Sequence, residues 1–464
     1  MSTSDRPPPD HSAADGDAGG AGDEPHDRTA ALRNLGGPAG TGPAATVPTG
    51  LRHGFRALRH RDYRLFFVGA LASNSGNWLQ NLAVPFVLFE LTGRSLYVGL
   101  AGFAQFLPAF LLGPLGGSLA DRFDRRLVLL GSQAAMAAAA IALWAVWAAG
   151  LRSAGLILAL TALTGIFSGL MIPSWQAFVP SLVPKADLAS AITLNSTQFN
   201  ASRAVGPAFA GLLLAVAGPV WAFGLNALSF LAVIVVLLTV RPQHGLPRRS
   251  DGLGVAAGFI SAVGYIRRRS GIRTSILCVV LVAFFGNPVA QFAVVFTERV
   301  YDAGPVVLGV LTSAVGVGAV LVAPLLSSWD AVVPRSAIVR WALPLYGIAI
   351  TGFGLAPVWP VGLVFLLGAG AGFLAVVATT NTAIQLIVAD EMRGRVMSAR
   401  IMGFTLAFPL GSLAQGVLAD AVGPQVTVTA MGLCLLAFAL SLSLGSTALD
   451  GLDRTDDAPD STSV

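Results

Sequence analysis

The sequence predicts an all-α membrane protein with twelve transmembrane helices in two pseudo-symmetric six-helix halves. Three observations predict it. Long runs without a charged residue recur along the whole chain, basic residues collect on alternate sides of those runs, and the first half of the chain is echoed in the second. Only 11% of the 464 residues are charged and 54% are hydrophobic, whereas soluble domains carry about 25% charged residues.

A membrane-crossing helix needs roughly 20 consecutive apolar residues. Residues 1–50 offer no such run. They are Gly, Ala, Pro, Asp and Ser with seven acids and three bases, a disordered tail and not a signal peptide. Charge-free runs then give span 1 (65–89), span 2 (95–120), span 3 (127–151) and span 4 (153–184). The run 188–240 is broken only by Arg203 and is long enough for spans 5 and 6, divided at Gly218-Pro219. Residues 241–273 form a basic loop in which "GLGVAAGFISAVGYIRRR" reads as an interfacial helix. Span 7 (274–297) and span 8 (303–329) follow. Residues 341–389 hold spans 9 and 10, divided at "APVWP" (356–360). Residues 401–449, broken only by Asp420, hold spans 11 and 12, divided at Gly423-Pro424. The halves are thus 51–240 and 274–444, and 445–464 is a second disordered tail. Cys278 and Cys434 both fall inside apolar runs and read as small buried hydrophobes rather than a disulfide pair.

Alternating through twelve spans sorts the charges. The side of the amino terminus receives 21 basic residues, among them Arg56, Arg122, Arg125, Arg126, Lys185 and Arg400. The other side receives Arg94, Arg152 and Arg299. Positive charge stays in the cytoplasm, so both termini are expected there, in a plasma membrane. Arginines that border spans at regular intervals suit anionic lipid and not nucleic acid. One Lys against twenty-eight Arg points to a GC-rich, bacterial genome.

Shifted by 210, "GNWLQNLAVPF" (76–86) lies over "GNPVAQFAVVF" (286–296), and Asn81 falls on Gln291. Shifted by 205, "GLLLAVAGP" (211–219) lies over "GVLADAVGP" (416–424). Spans 1 and 5 therefore correspond to spans 7 and 11. Two parallel halves of this kind are a transporter arrangement, with a site between them near the midplane.

The stretch "GSLADRFDRRLVL" between spans 2 and 3 resembles the loop signature of the major facilitator superfamily, Gly-x-Leu-Ala-Asp-Arg-x-Gly-Arg-Arg, with Asp124 in place of the second Gly. "FAQFLPAFLLGPLGG", "ASRAVGPAFAG" and "ADEMRGRV" are similar to its drug and siderophore exporters, of the enterobactin-exporter and macrolide-efflux type. The resemblance covers residues 55–440 and implies the major facilitator fold and export by alternating access. It also implies that Asp121 closes the cytoplasmic face by capping span 11 near Ser398, within a charge cluster that includes Arg122, Arg125 and Arg126. An acid at a helix N-terminus gains ~0.3–1 kcal/mol when exposed and up to ~2 when partly buried.

Polar residues inside spans are costly in lipid, and they fall at related places. Span 1 carries Asn74, Asn77, Trp78 and Asn81; span 4 carries Trp175 and Gln176; span 7 carries Asn287 and Gln291; span 10 carries Asn381 and Gln385. Spans 1, 4, 7 and 10 line the central cavity in the superfamily, so the resemblance makes these the substrate residues. Hydrogen bonding between helices, worth up to ~1–2 kcal/mol per contact, would use the same amides. Such walls suit an amphipathic or aromatic molecule.

Arg203 is the charge well inside a span, where insertion costs roughly 2.5–3.5 kcal/mol. "SRAVGPAFAG" resembles the antiporter motif Gly-x-x-x-Gly-Pro-x-x-Gly-Gly, which makes Arg203, Gly206, Pro207 and Gly211 either an antiporter hinge or a packing seam. No His and no midplane carboxylate lies in a span, so Glu90 and Glu298, at corresponding ends of spans 1 and 7, are the proton candidates. The expectation is a monomeric secondary exporter of a small molecule, driven by protons and free of cofactors. An importer or lipid flippase of the same fold, or a non-transporting receptor or scaffold, is the alternative. No nucleotide loop, metal spacing or Ser-His-Asp set points to an enzyme.

Overall fold

The computed structural model describes residues 54–240, 255–329, 332–445 and 448–453. The expected tails at 1–50 and 454–464 and the loop segment 241–254 lie outside the described residues. Twelve long helices are found among the described residues. Span 1 is Arg61–Thr92, span 2 Ser95–Arg122, span 3 Arg125–Ala148 and span 4 Ala154–Phe178. Spans 5 and 6 share the helix Leu188–Thr239, broken at Gly218 with φ 76° and ψ 178°. Only a residue without Cβ adopts that turn readily, and Pro219 then opens span 6 as a first-turn proline. Span 7 is Ser270–Arg299, span 8 Gly304–Trp329 and span 9 Arg335–Leu355. Span 10 is Trp359–Ile387, span 11 Asp390–Val422 and span 12 Pro424–Gly445.

Ten helices are long and apolar enough to cross a membrane, the helix of spans 5 and 6 counting once. Span 1 completes the twelve; its middle is diluted by Ser73, Asn74, Ser75, Asn77, Gln80 and Asn81. Helices outrun the charge-free runs at several ends. Span 11 begins at Asp390 instead of 401, and the second half begins at Ser270 instead of 274. Long arginine side chains reach toward water from within a helix, so the first charge marks the edge of the hydrocarbon and not the end of the helix. Arg400, counted above among the basic residues on the side of the amino terminus, is buried in span 11 and donates to the Val377 carbonyl of span 10 at 2.9 Å. Two further expectations are corrected. Residues 448–453 are ordered, with Asp450 paired to Arg340 at 3.2 Å, and Cys434 is exposed while Cys278 is buried.

The two halves are built alike. Span 2 packs on span 4 as span 8 packs on span 10, and span 3 packs on span 6 as span 9 packs on span 12. The loop helix, Val255–Arg268, docks beneath the second half. There Tyr265 accepts from the Ala389 backbone N–H at 3.2 Å and Arg395 reaches Ser261 at 3.1 Å. On the same arginine-rich face the chain entering span 1 is tied to the start of span 5. His60 and Arg56 meet Asp187 at 2.8 and 3.2 Å, and the Tyr63 hydroxyl donates to the Ala191 carbonyl.

Two antiparallel pairs join the halves, span 2 with span 11 and span 5 with span 8. Their polar contacts lie from the midplane to the arginine-poor face. Asp420 of span 11 accepts from the Ser95 N–H at 2.6 Å and pairs with Arg94 at 3.1 Å, and Arg299 donates to the Gly93 carbonyl. The Ser412 hydroxyl lies 3.3 Å from the Gly99 carbonyl, and Ala208 N–H donates to Ser313 at 2.8 Å. Close backbone approach accompanies them: a Cβ on Gly99 would sit 2.5 Å from the Ser412 carbonyl oxygen.

Candidate functional site

Two cavities follow from this packing. The first, about 350 Å³, lies between the halves and is walled by spans 1, 2, 5, 7, 8, 10 and 11. Its aromatic residues are Trp78, Phe106, Phe199, Phe373, Phe404 and Phe408; its polar ones are Asn81, Arg203, Asn287, Gln291 and Thr312. The second, about 370 Å³, lies within the first half and is lined by Asn74, Asn77, Trp175, Gln176, Asn195, Ser196 and Asn200 among others. Phe199 of span 5 lines both, and at 54% exposure it stands at an open boundary.

Local chain breaks aim the amides of span 7. Its middle winds into a π-helical turn, Val282–Gly286, followed by Asn287-Pro288. Proline has no N–H to bond the carbonyl four residues earlier, and a neighbouring carbonyl, that of Phe285, is taken by Gln415 at 2.9 Å. This turn places both Asn287 and Gln291 in the first cavity. Span 1 has Trp78 where the repeat places Pro288, so it stays regular. Asn77 consequently faces the second cavity while its mate Asn287 faces the first.

The expected amide set is therefore split. Trp78, Asn81, Asn287 and Gln291 meet in the first cavity; Asn74, Asn77, Trp175 and Gln176 meet in the second. Asn381 is half-buried and Gln385 exposed, and neither lines either cavity; span 10 contributes Phe373 instead. Gln105 of span 2 escaped the sequence reading: its amide donates to the Asn81 oxygen at 2.7 Å. Gln291 likewise has its oxygen bonded by Ser412 at 3.0 Å. The one signal for Gln105 was its position as a lone amide in an apolar run.

The span 5 motif serves this cavity from behind. Gly206 lies against Trp78, and a Cβ there would meet the indole at 2.7 Å. Pro207 cannot bond the Arg203 carbonyl, which instead lies against Gly316 of span 8, where a Cβ would stand 2.6 Å away. Gly211 faces Gly309. The motif thus forms the seam between spans 5 and 8, with the Arg203 guanidinium 5.1 Å over the Phe373 ring.

The charged loop residues take separate roles. Asp124 caps span 3, accepting from the N–H groups of Arg126 and Leu127 at 2.7 and 3.4 Å. Arg126 donates to the carbonyls of Leu237 and Leu238, both at 2.6 Å, and so closes the end of span 6. It is a bond within one half, not a partner of Asp121. Asp121 and Arg122 are exposed, Arg125 is half-buried, and Ser398 bonds to the Gly394 carbonyl, so the expected cap on span 11 is not made in this structure. Glu90 and Glu298 are exposed and line neither cavity.

The arrangement is a hollow between two halves. Comparison with known proteins agrees. A multidrug efflux pump, Tap, of Mycolicibacterium fortuitum is 26% identical over 80% of this chain and 92% of its own. The staphyloferrin A transporter of Staphylococcus aureus is 24% identical over 81% and 94%. Among solved structures, a bacterial homolog of the human lysosomal transporter Spinster, in an inward-facing and unoccupied conformation, superposes with a TM-score of 0.66 at 16% identity. That superposition covers 86% of this chain and 99% of the other, and shows the shared fold. The family model for transmembrane secretion effectors matches residues 53–461. With that span matched from before the first helix to beyond the last, the chain is a multi-span transporter of the major facilitator superfamily and belongs to its transmembrane secretion effector family.

Proposed function

We propose that this protein exports a hydrophobic or amphipathic small molecule across the plasma membrane by alternating access, in exchange for protons. The arginine-rich face lies in the cytoplasm, and the cell is bacterial. The observation that carries the reading is the cavity between the halves, bonded shut toward the arginine-poor face by Asp420. A relative named as a multidrug efflux pump supports the outward direction.

The alternation has a local basis. Leu-Ala-Asp occurs at the end of span 2 (119–121) and again near the end of span 11 (418–420). The two helices lie antiparallel against each other, and Asp420 sits at the start of span 2. Asp420 holds the start of span 2; by the repeated Leu-Ala-Asp we assign Asp121 the same duty toward span 11 at the other face, where it is exposed and without a partner among the described residues. One latch is made in each state. Each is worth up to ~2 kcal/mol when partly buried, about a 30-fold bias at 1.36 kcal/mol per tenfold. Substrate binding is enough to shift such a balance.

Proton entry belongs to the arginine-poor face, where Glu90, Glu298 and Asp302 gather. A membrane potential of 100 mV supplies ~2.3 kcal/mol per charge, or about a 50-fold gradient. The test uses everted vesicles challenged with macrolides, siderophores, lipophilic cations and organic acids. Export by antiport predicts substrate-dependent proton release with the wild type, reduced at least several-fold in Asp121→Asn and in Glu298→Gln. Proton release unaffected by Asp121→Asn would overturn the latch. No release for any compound, with inserted and folded protein, would overturn the antiport.

A further inference from the structure

The cavity between the halves holds a cation with no counter-charge among the described residues. Arg203 projects from the middle of span 5 into the cavity wall, and its contact is the face of Phe373 at 5.1 Å. Other arginines at or inside span ends finish on backbone carbonyls: Arg126 on Leu237 and Leu238, Arg152 on Trp147, Arg400 on Val377. Arg203 makes no hydrogen bond and no ion pair among the described residues. No Asp or Glu lines either cavity.

The amides beside it point to the same polarity. Asn81 has its oxygen occupied by the Gln105 amide, and Gln291 has its oxygen occupied by the Ser412 hydroxyl. An amide whose acceptor is taken still has two N–H donors. The free donors of these walls are a guanidinium and the NH2 groups of Asn81, Gln291 and Asn287, and they outnumber the acceptors left, the oxygens of Asn287 and Thr312. Around them stand Trp78 and five phenylalanines, whose ring faces and edges pack against flat apolar bodies. A donor-rich, positively charged pocket without a carboxylate is the complement of an anion, and a planar guanidinium matches a carboxylate with two parallel bonds.

We propose that the transported molecule is an organic acid with an aromatic body, its carboxylate bound by Arg203 and by the N–H groups of Asn81 and Gln291. This rests on the reading of the cavity as the transport site. It also accounts for an arginine in the middle of a span, because the charge is completed by the cargo in each cycle.

The test compares 2-naphthoate with its uncharged isostere, 2-naphthamide, on full-length protein in phosphatidylcholine liposomes at pH 7.5. Wild type is expected to bind the acid at least 10-fold more tightly than the amide. Arg203→Gln should bring the acid to the level of the amide, and Arg203→Lys should keep part of the preference. Should Arg203→Gln fail to fold, Gln291→Leu and Asn81→Leu must each weaken the acid more than the amide. Equal binding of acid and amide by wild type, a preference that survives Arg203→Gln, or tighter binding of tetraphenylphosphonium than of the acid overturns the proposal. Oleate is measured beside them; tighter binding of oleate than of naphthoate would overturn the aromatic assignment in favour of a lipid acid. Transport in the same liposomes separates the two readings. An acid that binds through Arg203 but is not moved keeps the carboxylate site and overturns its assignment as cargo, while export of other compounds without acid binding upholds the exporter and overturns the carboxylate site.

Discussion

At the scale of single residues, a side chain's value here depends on which backbone group it satisfies. Asp124 stands where the superfamily's loop signature has glycine, and it does so as the cap of span 3. Asp124→Ala should cost about 1 kcal/mol, as loss of an N-cap does, and lower the thermal midpoint of the purified protein without stopping transport. Gly206 has a different duty, since the indole of Trp78 occupies the space a side chain would need. Gly206→Leu should push Trp78 into the cavity and abolish ligand binding at that site, read as loss of ligand quenching of tryptophan fluorescence. Both residues are visible in the sequence as members of motifs, but their contacts are not. A motif records which residues recur together, whereas a cap or a ring contact depends on the neighbour's backbone.

At the scale of helices, the amide pattern was legible and its division was not. Span 1 and span 7 carry matching amides, yet Pro288 forces a π-helical turn in span 7 that Trp78 does not force in span 1. Five residues of altered winding change which face an amide presents, so repeat mates look into different cavities. Asn381 and Gln385 show the same limit from the other direction: they match by spacing, and span 10 turns Phe373 to the site instead. Close helix approach also belongs at this scale. A valine at Gly99 would collide with the Ser412 carbonyl and hold span 2 away from span 11. Gly99→Val should therefore open the arginine-poor face. The check is a cavity cysteine, Ala290→Cys, in a background lacking Cys278 and Cys434, labelled several-fold faster from that face by a membrane-impermeant thiol reagent.

At the scale of the whole molecule, the proposed alternation treats the twelve helices as two bodies whose balance is set by Asp420, which is engaged, and Asp121, which has no partner among the described residues. Weakening one latch should favour the state held by the other. Asp420→Asn should raise labelling of Ala290→Cys from the arginine-poor face by up to about 30-fold, following the ~2 kcal/mol of a partly buried helix-terminus acid. Asp121→Asn should move accessibility in the opposite direction, and the double variant should fall between the two. If both single variants shift labelling the same way, the aspartates are not reciprocal.

By itself the sequence determined the number of spans, their division into halves and the face on which the arginines collect. Each of these is a one-dimensional property: lipid demands about 20 apolar residues per crossing and sorts charge by side, and both can be counted along a chain. Arg203 also stood out, because a charge in hydrocarbon is costly wherever its partner lies. Only the tertiary structure decided what Arg203 meets, which amides share a cavity with it, and that Asp420 rather than Asp121 is engaged. Those facts depend on the rotation and tilt of helices far apart in sequence, set by glycine contacts and proline breaks between them. Lipid solvates every apolar face alike, so hydrophobicity does not choose the rotation; close packing and the pairing of polar groups do.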